Sequence, residues 1–173
     1  MVDVYLGIGS NIDAKNNITK ACECLKLDFP SIEYSRVFES AAVGFEGDNF
    51  LNLVARFNSS DIEFNGDMEP EKILAFLVKQ LKTIENDLGR VRGGKKFSDR
   101  HIDIDILLFG DSITKTPIEL PRDEILENAY VLWPLAELAN ELSDPTTNKS
   151  YLDYWQAFDK SSQNLKPIDL DVG

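Results

Sequence analysis

The amino-acid sequence predicts an α+β fold, one antiparallel sheet with helices packed on its faces in α/β/α layers. Three observations predict it. Strand-like segments at 2–8, 31–40, 50–58 and 101–109 alternate with helical segments at 10–27 and from 69 onward. The second helical segment carries one long apolar stripe at helical spacing. The order strand–helix–strand–strand–helix–strand is that of a ferredoxin-like unit, in which two helices cover a sheet face.

Each element has its reason in the residues. Residues 2–8 form a short apolar first strand, and "SNIDAKNNITKACECLKL" places Ile18, Ala21, Cys22 and Leu25 on one helical face. Pro30 ends that region, and "SIEYSRVFES" alternates as a strand. "NFLNLVARFNS" supplies another strand, and the Ser-, Asp-, Asn- and Gly-rich stretch 59–69 reads as a polar loop. From Glu69-Pro70 a helix follows with Ile73, Leu74, Leu77, Leu81, Ile84 and Leu88 in its stripe, stopped by Gly89. The strand 101–109 is turned by Gly110-Asp111, and a short helix around "LWPLAELANEL" precedes a tail with little signal. The 173 residues show no repeat or low-complexity linker, and the expectation is one domain over 1–173.

A net charge of −12 argues against nucleic-acid or anionic-membrane partners, both of which need a basic face. No apolar run approaches the ~20 residues of a membrane span. "MVDVYLGIGSN" lacks a basic leader. Cys22 and Cys24, at i and i+2 of a helix, point in different directions and read as plain thiols. A cytoplasmic, reducing setting is expected.

The stretch "RHIDIDILLFG" at 100–110 is chemically out of place. Aspartate is depleted from strands, and Asp103 and Asp105 project from one strand face, where they repel each other. Just upstream, "RVRGGKKFSDR" carries Arg90, Arg92, Lys95, Lys96 and Arg100 against Asp99 alone. Paired carboxylates suit Mg²⁺, which shares its oxygen ligands with substrate phosphates, and arginines suit phosphate oxygens. Gly93-Gly94 would let that segment close over a nucleotide. The plain alternative is a basic solvated loop followed by a strand whose polar side, His101, Asp103 and Asp105, faces water. No "GxxxxGK[ST]" loop and no kinase signature is present.

"GRVR" and the following "RHIDIDILLFG" resemble the signature of the 6-hydroxymethyl-7,8-dihydropterin pyrophosphokinases, a folate-pathway family. "GIGSN" at 7–11, "NFLN" at 49–52 and "YVLWPLAELANEL" at 130–142 are similar to further family segments in the family's order. The resemblance implies transfer of pyrophosphate from ATP to the hydroxymethyl oxygen of the pterin. It implies two Mg²⁺ ions on Asp103 and Asp105, with Arg90 and Arg92 acting from the upstream loop. Glu85, Arg100, Ile106 and Arg122 would join Arg90 and Arg92 in contacts to ATP. For the pterin, Tyr130 matches a stacking phenylalanine and Asn52 an asparagine that reads the ring edge. Phe50 would be a second aromatic wall, Phe97 an aromatic cap, and Val43 and Gly44 part of a loop bonding the ring through its backbone. The partners implied are small molecules, and a monomer is expected.

The chain departs from the family pattern in four places. Ala41 and Ala42 stand where a proline is usual, and Phe97 where tryptophan is common. "PRDEILENAY" has Arg122 in the place of a histidine and Asn128 in that of an arginine. His101, the sole histidine, sits where threonine is common and reads as a strand-face hydrogen bonder rather than a base. Two other readings stay open: a diverged paralogue using another acceptor, and a non-catalytic ferredoxin-like binding domain.

Overall fold

The computed structural model describes residues 1–41, 48–66, 69–89 and 101–173. Strand β1 (Asp3–Ser10) leads into α1 (Ala14–Asp28), and β2 (Glu33–Tyr34), β3 (Val37–Ser40) and β4 (Phe50–Asn58) follow. Helix α2 (Pro70–Leu88) and β5 (Asp103–Phe109) complete the ferredoxin-like order. Three helices, α3 (Glu124–Glu127), α4 (Ala129–Leu138) and α5 (Tyr151–Ala157), precede a last strand β6 (Leu165–Ile168).

The sheet runs β5-β1-β4-β3-β6, with β2 also paired to β4, and its described pairings are antiparallel. This places β1 and β4 at the centre. The expected strand 31–40 is two pieces, because Ser35 and Arg36 leave the ladder. Buried Ser35 keeps the break satisfied: its N–H donates to Val54 C=O at 2.8 Å, and its Oγ accepts from the Val54 N–H at 2.9 Å.

One face is covered by α1 and α2. Pro70 opens α2, Ile73, Leu74, Leu77, Leu81 and Ile84 are buried, and the N–H of Gly89 closes the helix on Glu85 C=O. Each such buried side chain contributes roughly 1.5–3 kcal/mol. They meet Ile18, Cys22 and Leu25 of α1 and Val4, Leu6, Ile8, Leu53, Ile104 and Ile106 of the sheet. The loop 59–66 is less idle than its polarity implies: Ile62 is buried and Phe64 packs on Phe76 of α2 with ring centres 5.3 Å apart.

The other face is covered by α3, α4 and α5, giving the expected α/β/α layers. Tyr5, Val54, Leu107 and Leu108 pack there against Ile125, Leu132, Leu135 and Tyr151. Trp133 of α4 bridges Phe38 of β3 and Trp155 of α5, with ring centres at 4.7 and 4.9 Å. The α4 segment begins earlier than the apolar run indicated, at Ala129, and carries Pro134 inside it. Helix α5 and strand β6 occupy the tail that showed little signal. Among the described residues, no helix is long and apolar enough to cross a membrane.

Candidate active site

Cross-strand register builds the site. Asp103 of β5 stands opposite Gly9 of β1, Gly9 opposite Asn52 of β4, and Asn52 opposite Phe38 of β3. One step along, Asp105 faces Gly7, and Gly7 faces Val54. Side chains alternate along a strand, so Phe50 and Asn52 share a side with Val54, and Asp103 and Asp105 with Leu107. Val54 and Leu107 both pack with α3–α5. The two aspartates and Asn52 therefore flank a floor of bare backbone on the α3–α5 face.

The glycines make that floor. A Cβ at residue 9 would lie 2.6 Å from Asn52 Oδ1, and one at residue 7 would lie 3.3 Å from Leu107 Cδ2. Two glycines at i and i+2 of a central strand mark a close approach of other groups to the backbone. That spacing was available in "GIGSN" as a signal for the floor.

Arg122, Glu124 and Tyr130 wall the aspartate side. The backbone N–H of Arg122 donates to Leu107 C=O at 3.1 Å, which sets residue 122 against β5. Its guanidinium lies in ion-pair range of two carboxylates: Nη2 is 3.8 Å from Asp105 Oδ1, and Nε is 3.5 Å from Glu124 Oε1. Tyr130 stands in the first turn of α4 and is half-buried. Burial pushes the Glu124 carboxyl above its ordinary range; Arg122 opposes the shift, while Asp105 and then Asp103 add to it. Burial likewise raises the Tyr130 hydroxyl, helped by the negative charge of Glu124 and Asp105. These groups share one field, and the carboxylates in it repel one another.

Glu85 acts on the opposite edge of β5. Its Oε1 accepts from the Ile104 N–H at 2.8 Å, and its Oε2 lies 2.6 Å from Lys82 Nζ. The side chain is only 11% exposed, so this carboxylate is not part of a solvated helix face. It fixes the backbone between the two aspartates.

Ile106 offers the site its backbone alone. The pleat turns its side chain away from Asp105 into the core beneath α1 and α2, where it is 4% exposed. A nucleotide on the aspartate face could meet residue 106 only through its backbone. His101 lies ahead of β5 rather than in it, and its carbonyl accepts a short hydrogen bond from the Ser10 hydroxyl. Val43, Gly44, Arg90, Arg92, Phe97 and Arg100 lie outside the described residues. Glu124 was missed in the sequence because "PRDEILENAY" carries no spacing that singles it out.

The donor set suits a hard cation that brings its own company. Asp103 and Asp105 offer carboxylate oxygens beside an open floor, and the Asp105 side chain is 51% exposed. Among the described residues no group of three or more His, Cys, Asp or Glu is placed to hold a metal. A pair of carboxylates with water and substrate phosphates completing the shell is the usual arrangement for Mg²⁺.

Fold and site together define a ferredoxin-like α+β protein with a paired-carboxylate face on its sheet. Residues 5–140 match the family model of 7,8-dihydro-6-hydroxymethylpterin-pyrophosphokinase (HPPK). The chain is 34% identical over 172 residues to a 2-amino-4-hydroxy-6-hydroxymethyldihydropteridine pyrophosphokinase of Aquifex aeolicus, covering 97% of this chain and 96% of the relative. It is 33% identical to a folic acid synthesis protein of Dictyostelium discoideum over 83% of this chain, but spans only 20% of that longer protein. The crystal structure of wild-type Plasmodium falciparum HPPK-DHPS superposes with a TM-score of 0.67 at 14% identity, over 96% of this chain and 44% of that one. The chain belongs to the HPPK family.

Proposed function

We propose that this chain transfers a pyrophosphoryl group from ATP to the hydroxymethyl oxygen of 6-hydroxymethyl-7,8-dihydropterin, a step of folate biosynthesis. The observation that carries the reading is the cross-strand row in a member of this family. It sets paired carboxylates and an amide side chain on either side of a bare glycine floor. In the reaction the hydroxymethyl oxygen bonds to the β-phosphorus, and the bond from that phosphorus to the α–β bridging oxygen breaks. AMP leaves, and the hydroxyl proton passes to solvent.

The residues divide the work by chemistry. Asn52 can both donate to and accept from the pterin edge, and Tyr130 and Phe50 offer aromatic faces to a flat heterocycle. Asp103 and Asp105 would hold two Mg²⁺ ions, which when bound neutralise phosphate charge and make the hydroxyl more acidic. Arg122 is positioned beside Asp105 to meet phosphate oxygens with a planar fork. Arg90, Arg92 and Arg100 are assigned to the same anions from their sequence matches. Glu85 holds the backbone that carries the aspartates. The reading is of one domain acting on small molecules in the cytoplasm.

The test is product analysis with purified protein, MgATP and the hydroxymethyldihydropterin. AMP that forms only when the pterin is present supports the reading, and Asp105→Asn should abolish it while leaving the circular dichroism unchanged. ADP as product, or AMP independent of pterin, would overturn it.

A further inference from the structure

Arg122 is caught between two carboxylates, and one of them is spoken for. In the reading above, on which this inference rests, Asp105 serves the Mg-nucleotide, so the ion pair at 3.8 Å cannot be what keeps Arg122 in place once that ligand binds. Glu124 remains, with its Oε1 3.5 Å from Arg122 Nε. We propose that Glu124 is a positioning residue for nucleotide binding: it holds the Arg122 guanidinium at the aspartate face while Asp105 is engaged elsewhere.

The local structure suits that task. Arg122 is tethered at its backbone by the bond to Leu107 C=O, so only the long side chain needs a guide. A free arginine side chain loses rotamer entropy when it is ordered, and an anchored acid at one edge of the fork removes part of that cost before the phosphates arrive. Glu124 is itself fixed. It is the first residue of α3, whose Ile125 is buried in the core under α4. The Glu124 side chain is 31% exposed and that of Arg122 34% exposed, so the pair sits partly out of water, where charge interactions are less screened. Glu124 feels repulsion from Asp105 and Asp103, and Arg122 is the cation that offsets it. The arrangement keeps a cation beside the aspartate face.

The experiment is a double-variant cycle read by calorimetric binding of the magnesium complex of a non-cleavable ATP analogue. Glu124→Gln should weaken binding about five- to tenfold in the wild-type background and less than twofold in an Arg122→Ala background. Glu124→Asp should recover most of the loss. A residue that merely stabilised α3 would lower the unfolding midpoint and weaken binding equally in both backgrounds, and that result overturns the proposal. Wild-type affinity in Glu124→Gln overturns it as well. Because binding is read without turnover, failure of the pterin-dependent AMP assay would sink the functional reading separately.

Discussion

Gly9 and Asn52 face each other across β1 and β4, and the space where a residue-9 Cβ would stand is filled by Asn52 Oδ1, 2.6 Å away. Real Cβ contacts do not come that close. Gly9→Ala therefore forces the Asn52 side chain to turn, whereas the pairing of Gly9 to Asp103 through the backbone survives. The expected outcome is a pterin KM raised about tenfold, about 1.4 kcal/mol, with the MgATP KM within twofold of wild type. Steady-state kinetics with each substrate varied separately would show it. An unchanged pterin KM would mean that Asn52 does not read the pterin.

Glu85→Ala removes the acceptor of the Ile104 N–H, between Asp103 and Asp105 on the edge of the sheet. Loss of one partner from a partly buried hydrogen bond costs about 1–3 kcal/mol. The edge is free to shift, so turnover should fall together with the urea midpoint. Glu85→Gln keeps a carbonyl acceptor at the same reach and should retain most of both. If Gln proves as damaging as Ala, the carboxylate charge matters more than the tether, and a nucleotide contact becomes the better account of Glu85.

Much of this fold was legible because local pattern and tertiary role agreed. Strand 50–58 and the α2 stripe from Pro70 emerged with the boundaries their residues implied. Other elements depend on contacts that no short window contains. The break at Ser35 is stable only because Val54 lies opposite it, and β6 exists because β3 offers an edge. Helix α5 is anchored by Trp155 on Trp133 and by Tyr151 in the core. At the site, Asp103 and Asp105 announced themselves by being acids in an apolar strand. Glu124 did not, since an acid at the start of a short helix is ordinary.

Ser35→Ala tests the strand break directly. The substitution strips the acceptor from the buried Val54 N–H, which lies in the middle of the central strand β4. The expected cost is about 1–3 kcal/mol, seen as a lower urea midpoint at unchanged slope. Kinetic constants should stay near wild type, because the lost bond joins Ser35 to the Val54 backbone one row from Asn52, and the Val54 side chain keeps its packing against α3–α5. A stability equal to wild type would show that water or a shifted Arg36 replaces the hydroxyl.

The alkaline limit of the fold should be set in part by Cys22 and Tyr34. Burial raises the Cys22 thiol from 9.0 to about 12, with the hydrogen bond from Tyr34 opposing and Glu23 adding slightly. Burial also raises the Tyr34 hydroxyl, which donates to the Cys22 carbonyl at 2.8 Å and so ties β2 to α1. Both groups have folded-state values above their unfolded ones, so the folded state prefers the neutral forms. The Cys22 contribution is fully present below pH 9.0 and is lost as pH climbs toward about 12, and Tyr34 adds a loss that starts only near pH 10.0, each at about 1.4 kcal/mol per pH unit while the group titrates only in the unfolded chain. Urea unfolding at pH 8 and at pH 10.5 should therefore show a clear drop in stability. The same burial protects the thiol itself: Cys22 is fully buried, whereas Cys24 is partly exposed. A thiol reagent at pH 8 should modify one cysteine rapidly in the native protein and both in denaturant. Equal rates for the two in the native state would mean that α1 opens far more readily than its packing against α2 and the sheet implies.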